Sequence, residues 1–143
     1  FNLPGSIKQR VPALARLAPI TMLEDVTVPR PKLAEMVRTI DAIAVRHDVV
    51  CATFGHAGDG NLHPTIVFDP DDGDARHRAE SAFDEVFHAA MALGGTITGE
   101  HGVGAAKRPW LNARLGADQM ALLRRVKTAF DPAGILNPGK LGS

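Results

Sequence analysis

The sequence predicts an α+β fold: a ferredoxin-like antiparallel sheet in the order β-α-β-β-α-β, followed by an extra C-terminal helix. Two observations favour this class. Stretches with strand and helix patterns alternate in that order along 143 residues, and no internal repeat or low-complexity tract interrupts them. In such a fold two helices cover one face of the sheet and leave the other open. An open face would suit a lid over a cofactor that another domain holds.

The first half of the chain supplies a strand, a helix and a hairpin. The β-branched stretch 20–28 predicts the strand. Two prolines then open a helix whose apolar residues recur at helical spacing: Leu33, Met36, Val37, Ile40, Ile43 and Ala44. Two β-rich runs, 49–54 and 62–68, flank the glycine-rich segment HAGDGN, and this arrangement predicts a hairpin.

The second half predicts a long helix, a short strand and a closing helix. The long helix runs from about 75 to 93 and ends at two glycines, and the short strand covers 96–98. The last helix covers about 117–130, with Met120, Leu123, Val126 and Phe130 on one face. Trp110 and Phe130 are core candidates. The chain is therefore predicted to be a single domain, residues 1–143. The opening FNLPGS (1–6) is expected to be partly foreign sequence, and the natural protein to extend further upstream.

Composition excludes several classes of partner. Sixteen basic residues balance sixteen acidic ones, so no overall field attracts nucleic acid or an anionic membrane. No apolar run approaches the roughly 20 residues of a membrane span, and no secretory signal opens the chain. The single cysteine, Cys51, excludes an intrachain disulfide and is expected to be an inert strand residue. These features favour a cytoplasmic location, with membrane association only through partner subunits.

Three of the six histidines lie in or beside glycine-rich loops, and they suggest a metal site. If Asp59-Gly60 forms a two-residue turn, His56 lies directly opposite His63, with Cβ atoms about 5 Å apart. Two imidazoles at that separation can share one metal ion, and Glu100 is the best third ligand. Asp59 either orients a histidine or only supplies turn geometry.

Glu100 presents a topological difficulty. In a strict ferredoxin-like sheet the fourth strand would leave at the end opposite the hairpin turn, away from the two histidines. Three alternatives follow: this strand is very short, the site lies on the open face of the sheet, or the predicted topology is wrong.

Three motifs carry a family resemblance. FGHAGDGNLHP (54–64), TGEHGVGAAK (98–107) and FDPAGILNPGK (130–140) occur in order. Over about residues 20 to 141 the chain resembles the C-terminal domain of FAD-linked oxidases. This family includes the glycolate oxidase D-subunit, D-lactate dehydrogenase and D-2-hydroxyglutarate dehydrogenase.

The resemblance implies a two-domain flavoprotein that oxidises a small 2-hydroxy acid to a 2-keto acid. FAD would sit mainly in an N-terminal domain of the same natural chain, and further electron-transfer subunits are possible partners. By motif, His56, His63 and Glu100 match the ligands of a divalent metal (Zn, Mn or Fe). Asn61 matches a substrate-binding position, and His101 matches the proposed catalytic base.

The sequence departs from the family pattern at one position, and two other functions compete with the one that the resemblance implies. The family usually carries an arginine before a lysine near the start of this region, where it binds the substrate carboxylate; here Ile7 precedes Lys8. A stand-alone metal hydrolase could use the same two histidines and glutamate to activate water. A structural cap with no chemistry of its own is the third reading.

Overall fold

The structure, a computed structural model, describes residues 20–140. The expectations for residues 1–6, and for Ile7 and Lys8, lie outside the described residues. The chain divides into two compact units at the bond between Glu100 and His101. Each unit is described by itself, and the single-domain organisation stays a prediction.

The first unit contains a four-stranded antiparallel sheet, which confirms the predicted α+β class. Its strands are β1 (Ile20–Leu23), β2 (Val26–Thr27), β3 (Val50–His56) and β4 (Asn61–Phe68). Strand β4 is central: β3 pairs with one edge, and β1 and β2 pair in succession with the other. All eight residues of β4 are buried.

The predicted strand 20–28 is interrupted after Leu23. Its two parts keep one register, because Leu23 pairs with Thr65 and Val26 pairs with Leu62. The interruption lies opposite Pro64, which has no N–H group to donate to the neighbouring strand. The amide of Glu24 still donates to the Pro64 carbonyl at 3.1 Å. A single proline in β4 thus accounts for the break.

The predicted strand 96–98 is reduced to one isolated bridge between Thr27 and Thr96. Thr96 N donates to Thr27 O at 2.8 Å, and Thr27 N donates to Thr96 O at 3.1 Å. The prediction was therefore wrong in the extent of this strand, and the ferredoxin-like order stays a prediction. Among the alternatives for Glu100, the structure has the very short strand.

Two helices complete the first unit. A 3-10 turn, Arg30–Lys32, leads into α1 (Leu33–Arg46), and α2 (Ala75–Ala92) follows the hairpin. Both helices contact the sheet and each other. Their buried residues and alternate residues of the strands form the core: Val26, Met36, Ile40, Ile43, Leu62, Ile66, Phe83, Val86 and Phe87. Because side chains alternate along a strand, the residues between these core positions in β2 and β4 face the other side of the sheet: Thr27, Asn61, His63 and Thr65.

Cys51 lies in β3 and is half-buried. Burial raises the pKa of this thiol to about 11. A thiol with so high a pKa stays protonated near neutrality and is a poor nucleophile, as expected of an inert strand residue.

The second unit is built on α3 (Arg108–Phe130), which is broken at Gly116 (φ 76°, ψ 173°). The segment after Gly116 begins where the closing helix was predicted. Its buried face is much smaller than predicted: Met120 is buried, whereas Val126 is 47% and Phe130 is 83% exposed. Helical spacing shows that these residues share a face, but it does not show how much of that face is covered.

Asp131 ends α3 and holds the turn that follows. It accepts hydrogen bonds from the amides of Ile135 and Leu136, both at 3.0 Å, and from the ammonium group of Lys127. The Lys127 hydrogen bond holds the pKa of the Asp131 carboxyl below its ordinary value. Among residues 20–140, no helix has the length and apolar character needed to cross a membrane.

Candidate metal centre

The β3–β4 hairpin has a longer turn than predicted. His56 pairs with Asn61 and Phe54 pairs with His63, so four residues, 57–60, form the turn. The amide of Gly60 (φ 80°) donates to the His56 carbonyl at 3.1 Å. The predicted two-residue turn, with His56 directly opposite His63, is therefore wrong. The register differs by two residues, however, and an even shift keeps side chains on the same face.

The two imidazoles consequently meet along a diagonal of the sheet. Their ring centroids are 5.4 Å apart and their planes are nearly perpendicular, at 86°. The His63 side chain is only 6% exposed and lies against Phe54, with centroids 5.5 Å apart. The His56 side chain is 54% exposed. One imidazole is thus held by packing, and the other borders solvent.

Glu100 completes the group. Its Oε1 atom is 3.2 Å from His63 Nε2 and 3.6 Å from His56 Nε2. One ligand atom from each of these three side chains lies within 4.8 Å of the other two. Two atoms bound to one ion at about 2.1 Å each stand about 3 to 4 Å apart. The nitrogen and oxygen donors therefore fit a divalent cation with small side-chain movements.

Asp25 supports Glu100, and the sequence reasoning missed it. It lies in the two-residue interruption between β1 and β2 and is completely buried. Its carboxylate accepts hydrogen bonds from the amides of Gly99 and Glu100, at 2.6 and 2.8 Å. One signal was available: an acidic residue stands in the middle of a β-branched stretch, where a charge is costly unless it is bonded.

Asn61 is the first residue of β4 and lies on the same face as His63. It is 4% exposed, and its Oδ1 atom accepts a hydrogen bond from the Thr27 hydroxyl at 3.4 Å. Its backbone amide donates to Asp59 Oδ1 at 3.0 Å. Asp59 therefore supports the turn geometry. The substrate-binding role of Asn61 stays a prediction.

His101 follows Glu100 directly in the chain and begins the second unit. It is exposed. The structure thus brings together the three predicted metal ligands within the first unit, and the role of His101 as a base stays a prediction.

The remaining histidines lie on or beside helices. His47 Nε2 is 2.9 Å from Glu85 Oε2, which links the end of α1 to α2. His88 Nδ1 is 2.8 Å from the carbonyl of Asp84 in its own helix. His77 is exposed on α2. None of these three belongs to the group formed by His56, His63 and Glu100.

Comparison with known proteins finds glycolate oxidase subunits and a D-lactate dehydrogenase among the relatives of this chain. Over 141 residues the chain is 51% identical to glycolate oxidase subunit GlcD of Bacillus subtilis, covering 99% of this chain and 30% of that protein. It is 40% identical over 120 residues to the mitochondrial D-lactate dehydrogenase [cytochrome] of Arabidopsis thaliana, covering 84% of this chain and 21% of that one. Identity to glycolate oxidase subunit GlcD of Escherichia coli is 38% over 133 residues, or 93% of this chain and 27% of that protein.

The chain thus spans less than a third of the length of each of these relatives. The family described as FAD linked oxidases, C-terminal domain, matches residues 6–141, which is nearly the whole chain. This chain therefore belongs to the C-terminal domain family of FAD linked oxidases.

Proposed function

We propose that this chain is the metal- and substrate-binding domain of an FAD-dependent 2-hydroxy-acid dehydrogenase or oxidase. The observation that carries the proposal is the convergence of His56, His63 and Glu100 in a member of this family. Two imidazoles and one carboxylate, with room for a further ligand, form a recurrent catalytic metal site. The named relatives act on glycolate or D-lactate, so we expect a small 2-hydroxy acid as the substrate.

In this proposal the residues of the chain bind and orient the substrate and remove a proton. His56, His63 and Glu100 hold the cation, and Asn61 contacts the substrate. His101 accepts the hydroxyl proton, a role that an imidazole side chain often takes in enzymes. When bound, the cation would supply Lewis acidity to the substrate oxygens, and FAD, which another domain of the natural chain would mainly hold, would supply the hydride acceptor for oxidation to the 2-keto acid.

The ligand assignment is tested by the metal content of the full-length protein. We expect about one equivalent of divalent metal in the wild type and little in His63→Ala, because the buried imidazole is lost. His88→Ala is the matched control, since that histidine is exposed on α2 and lies outside the group. A His63→Ala variant that keeps stoichiometric metal would refute the assignment.

The base assignment needs a separate measurement. In His101→Gln we expect metal to stay bound while reduction of FAD by D-lactate or glycolate in a single turnover slows by about 10²-fold or more. Unchanged single-turnover reduction would rule out His101 as the base.

A stand-alone metal hydrolase remains the second candidate, because the same three ligands could activate water. The two functions differ in their need for FAD. A hydrolase would cleave its substrate in a preparation from which the flavin had been removed, whereas the oxidation of a 2-hydroxy acid would stop.

A further inference from the structure

The three candidate ligands are supported in unequal ways. His56 and His63 belong to paired strands, whereas Glu100 lies in an irregular loop after the single bridge at Thr96. The Glu100 side chain is also 51% exposed. Packing alone therefore does not determine where this carboxylate lies.

The side chain of Asp25 supplies much of the support that the loop lacks. Its Oδ2 atom accepts hydrogen bonds from Gly99 N at 2.6 Å and Glu100 N at 2.8 Å. The Thr98 hydroxyl donates to Oδ1 at 3.0 Å and lies 3.2 Å from Oδ2. Three successive residues of the loop are thus bound to one buried carboxylate. Hydrogen bonds to a charged acceptor are stronger than those between neutral groups.

The position of Asp25 in the sheet connects this support to the histidines. Leu23 pairs with Thr65 and Val26 pairs with Leu62, so the register places Asp25 opposite His63. The strand pair that carries His63 therefore also carries the group that holds the backbone of Glu100. One segment of sheet determines where both ligands stand.

A close approach of Gly99 to the sheet limits the loop further. A Cβ atom at this position would lie 2.4 Å from the Asn61 carboxamide and 2.5 Å from the Thr27 hydroxyl. The loop therefore lies directly against the sheet at the residue whose amide Asp25 binds. A side chain at Gly99 would push the loop and Glu100 outward.

We propose that Asp25 is a positioning residue for the metal centre: it holds the 98–100 loop so that the Glu100 carboxylate meets His56 and His63. This inference rests on the proposed metal-binding function and adds a residue that touches neither metal nor substrate. Residues that orient metal ligands in this way typically change metal affinity by about 10- to 100-fold when they are replaced.

The test measures Zn²⁺ affinity by competition with a chelator in the full-length protein. Asp25→Ala removes every acceptor, and we expect Zn²⁺ to bind about 10- to 100-fold more weakly. Asp25→Asn keeps a carboxamide oxygen that can accept from both amides, so its affinity should lie closer to that of the wild type. Val86→Ala, a buried change in α2, controls for loss of overall stability.

A second pair of variants covers the case in which Asp25→Ala does not fold. Thr98→Val removes only the hydroxyl donor and keeps the shape of the side chain, whereas Thr98→Ser keeps the donor. We expect weaker Zn²⁺ binding in Thr98→Val than in Thr98→Ser. Equal binding in these two, or Zn²⁺ binding by Asp25→Ala as tight as by Val86→Ala, would overturn the inference.

Amide hydrogen exchange without metal separates this inference from the proposed function. In Asp25→Ala, or in Thr98→Val if the former does not fold, the amides of Gly99 and Glu100 should exchange faster than in the matched control. A wild type that binds none of Zn²⁺, Mn²⁺ and Fe²⁺ would refute the metal site, and the exchange rates would then decide the role of Asp25. Unchanged exchange at both amides refutes the positioning role whether or not Zn²⁺ binds.

Discussion

The β3–β4 hairpin and the 98–100 loop bring the three candidate ligands to the same point by different means. In the hairpin, backbone pairing sets the positions of His56 and His63, and even a two-residue difference in register leaves both on one face. In the loop, one bridge and the side chain of Asp25 determine where Glu100 lies. The hairpin should therefore be sensitive to changes in its backbone and the loop to the loss of single side-chain contacts.

The largest effect is expected from a methyl group inside the hairpin. In Gly55→Ala the new Cβ would lie 2.1 Å from the Asn61 carbonyl oxygen and 2.9 Å from Leu62 Cα, which are backbone atoms that cannot move alone. We expect the free energy of unfolding to fall by about 3 kcal/mol, measured by urea denaturation. Gly58→Ala is the control, because its Cβ meets nothing within 4 Å. Similar stabilities for the two variants would show that strand pairing does not set the hairpin geometry.

A methyl group in the loop should instead separate metal binding from stability. Gly99→Ala displaces the loop from Asn61 and Thr27, so we expect Zn²⁺ affinity to fall by about tenfold with little change in the thermal midpoint. Gly73→Ala controls for the glycine replacement itself, because a Cβ atom at Gly73 would meet nothing within 4 Å. Wild-type affinity in Gly99→Ala would mean that the loop does not limit the site.

A polar contact in the hairpin turn tests whether the hairpin, unlike the loop, keeps its candidate ligands in place after the loss of one side-chain contact. Asp59→Ala removes the acceptor for the Asn61 amide, and we expect it to cost about 1 kcal/mol of unfolding free energy. Because strand pairing remains, Zn²⁺ affinity should change much less than in Asp25→Ala. An equal loss of affinity in the two variants would contradict the distinction between the hairpin and the loop.

The smallest effect is expected at a surface contact remote from both regions. Glu85 pairs with His47 and Arg46, and the His47 hydrogen bond, followed by Arg46, lowers the pKa of its carboxyl. Because the pKa of Glu85 is lower in the folded state, its contribution to the free energy of unfolding is present above its unfolded-state pKa of about 4.3. This contribution is lost as the pH falls through its folded-state pKa. We expect Glu85→Gln to cost less than about 1 kcal/mol at pH 7. The difference from wild type should vanish once the pH falls below the folded-state pKa of Glu85, and a difference that persisted after full protonation would assign the effect to packing.

Much of the fold and two of the candidate ligands could be predicted from local patterns. Helical spacing identified α1 with its buried Met36, Ile40 and Ile43, and two β-rich runs on either side of a glycine-rich segment identified the hairpin. The turn length was wrong because Asp59-Gly60 also fits a four-residue turn closed by the Asp59 side chain. His56 still lies on the predicted face of the sheet, because the observed register differs from the predicted one by an even number of residues.

Other features depended on contacts between distant residues. The break in the first strand depends on Pro64, about forty residues further along the chain, which lacks the donor that the strand would need. The exposure of Phe130 could not be read from its helical spacing, because periodicity shows which residues share a face but not whether anything covers it.

The sequence by itself determined the family, the α+β class and the types of side chain available as ligands, because motifs and periodicity are local properties. Only the tertiary structure decided that Glu100 reaches the two histidines. That meeting depends on one bridge at Thr96 and on a carboxylate 75 residues away in the chain. Hydrogen bonds between residues so far apart leave no periodic trace in a sequence.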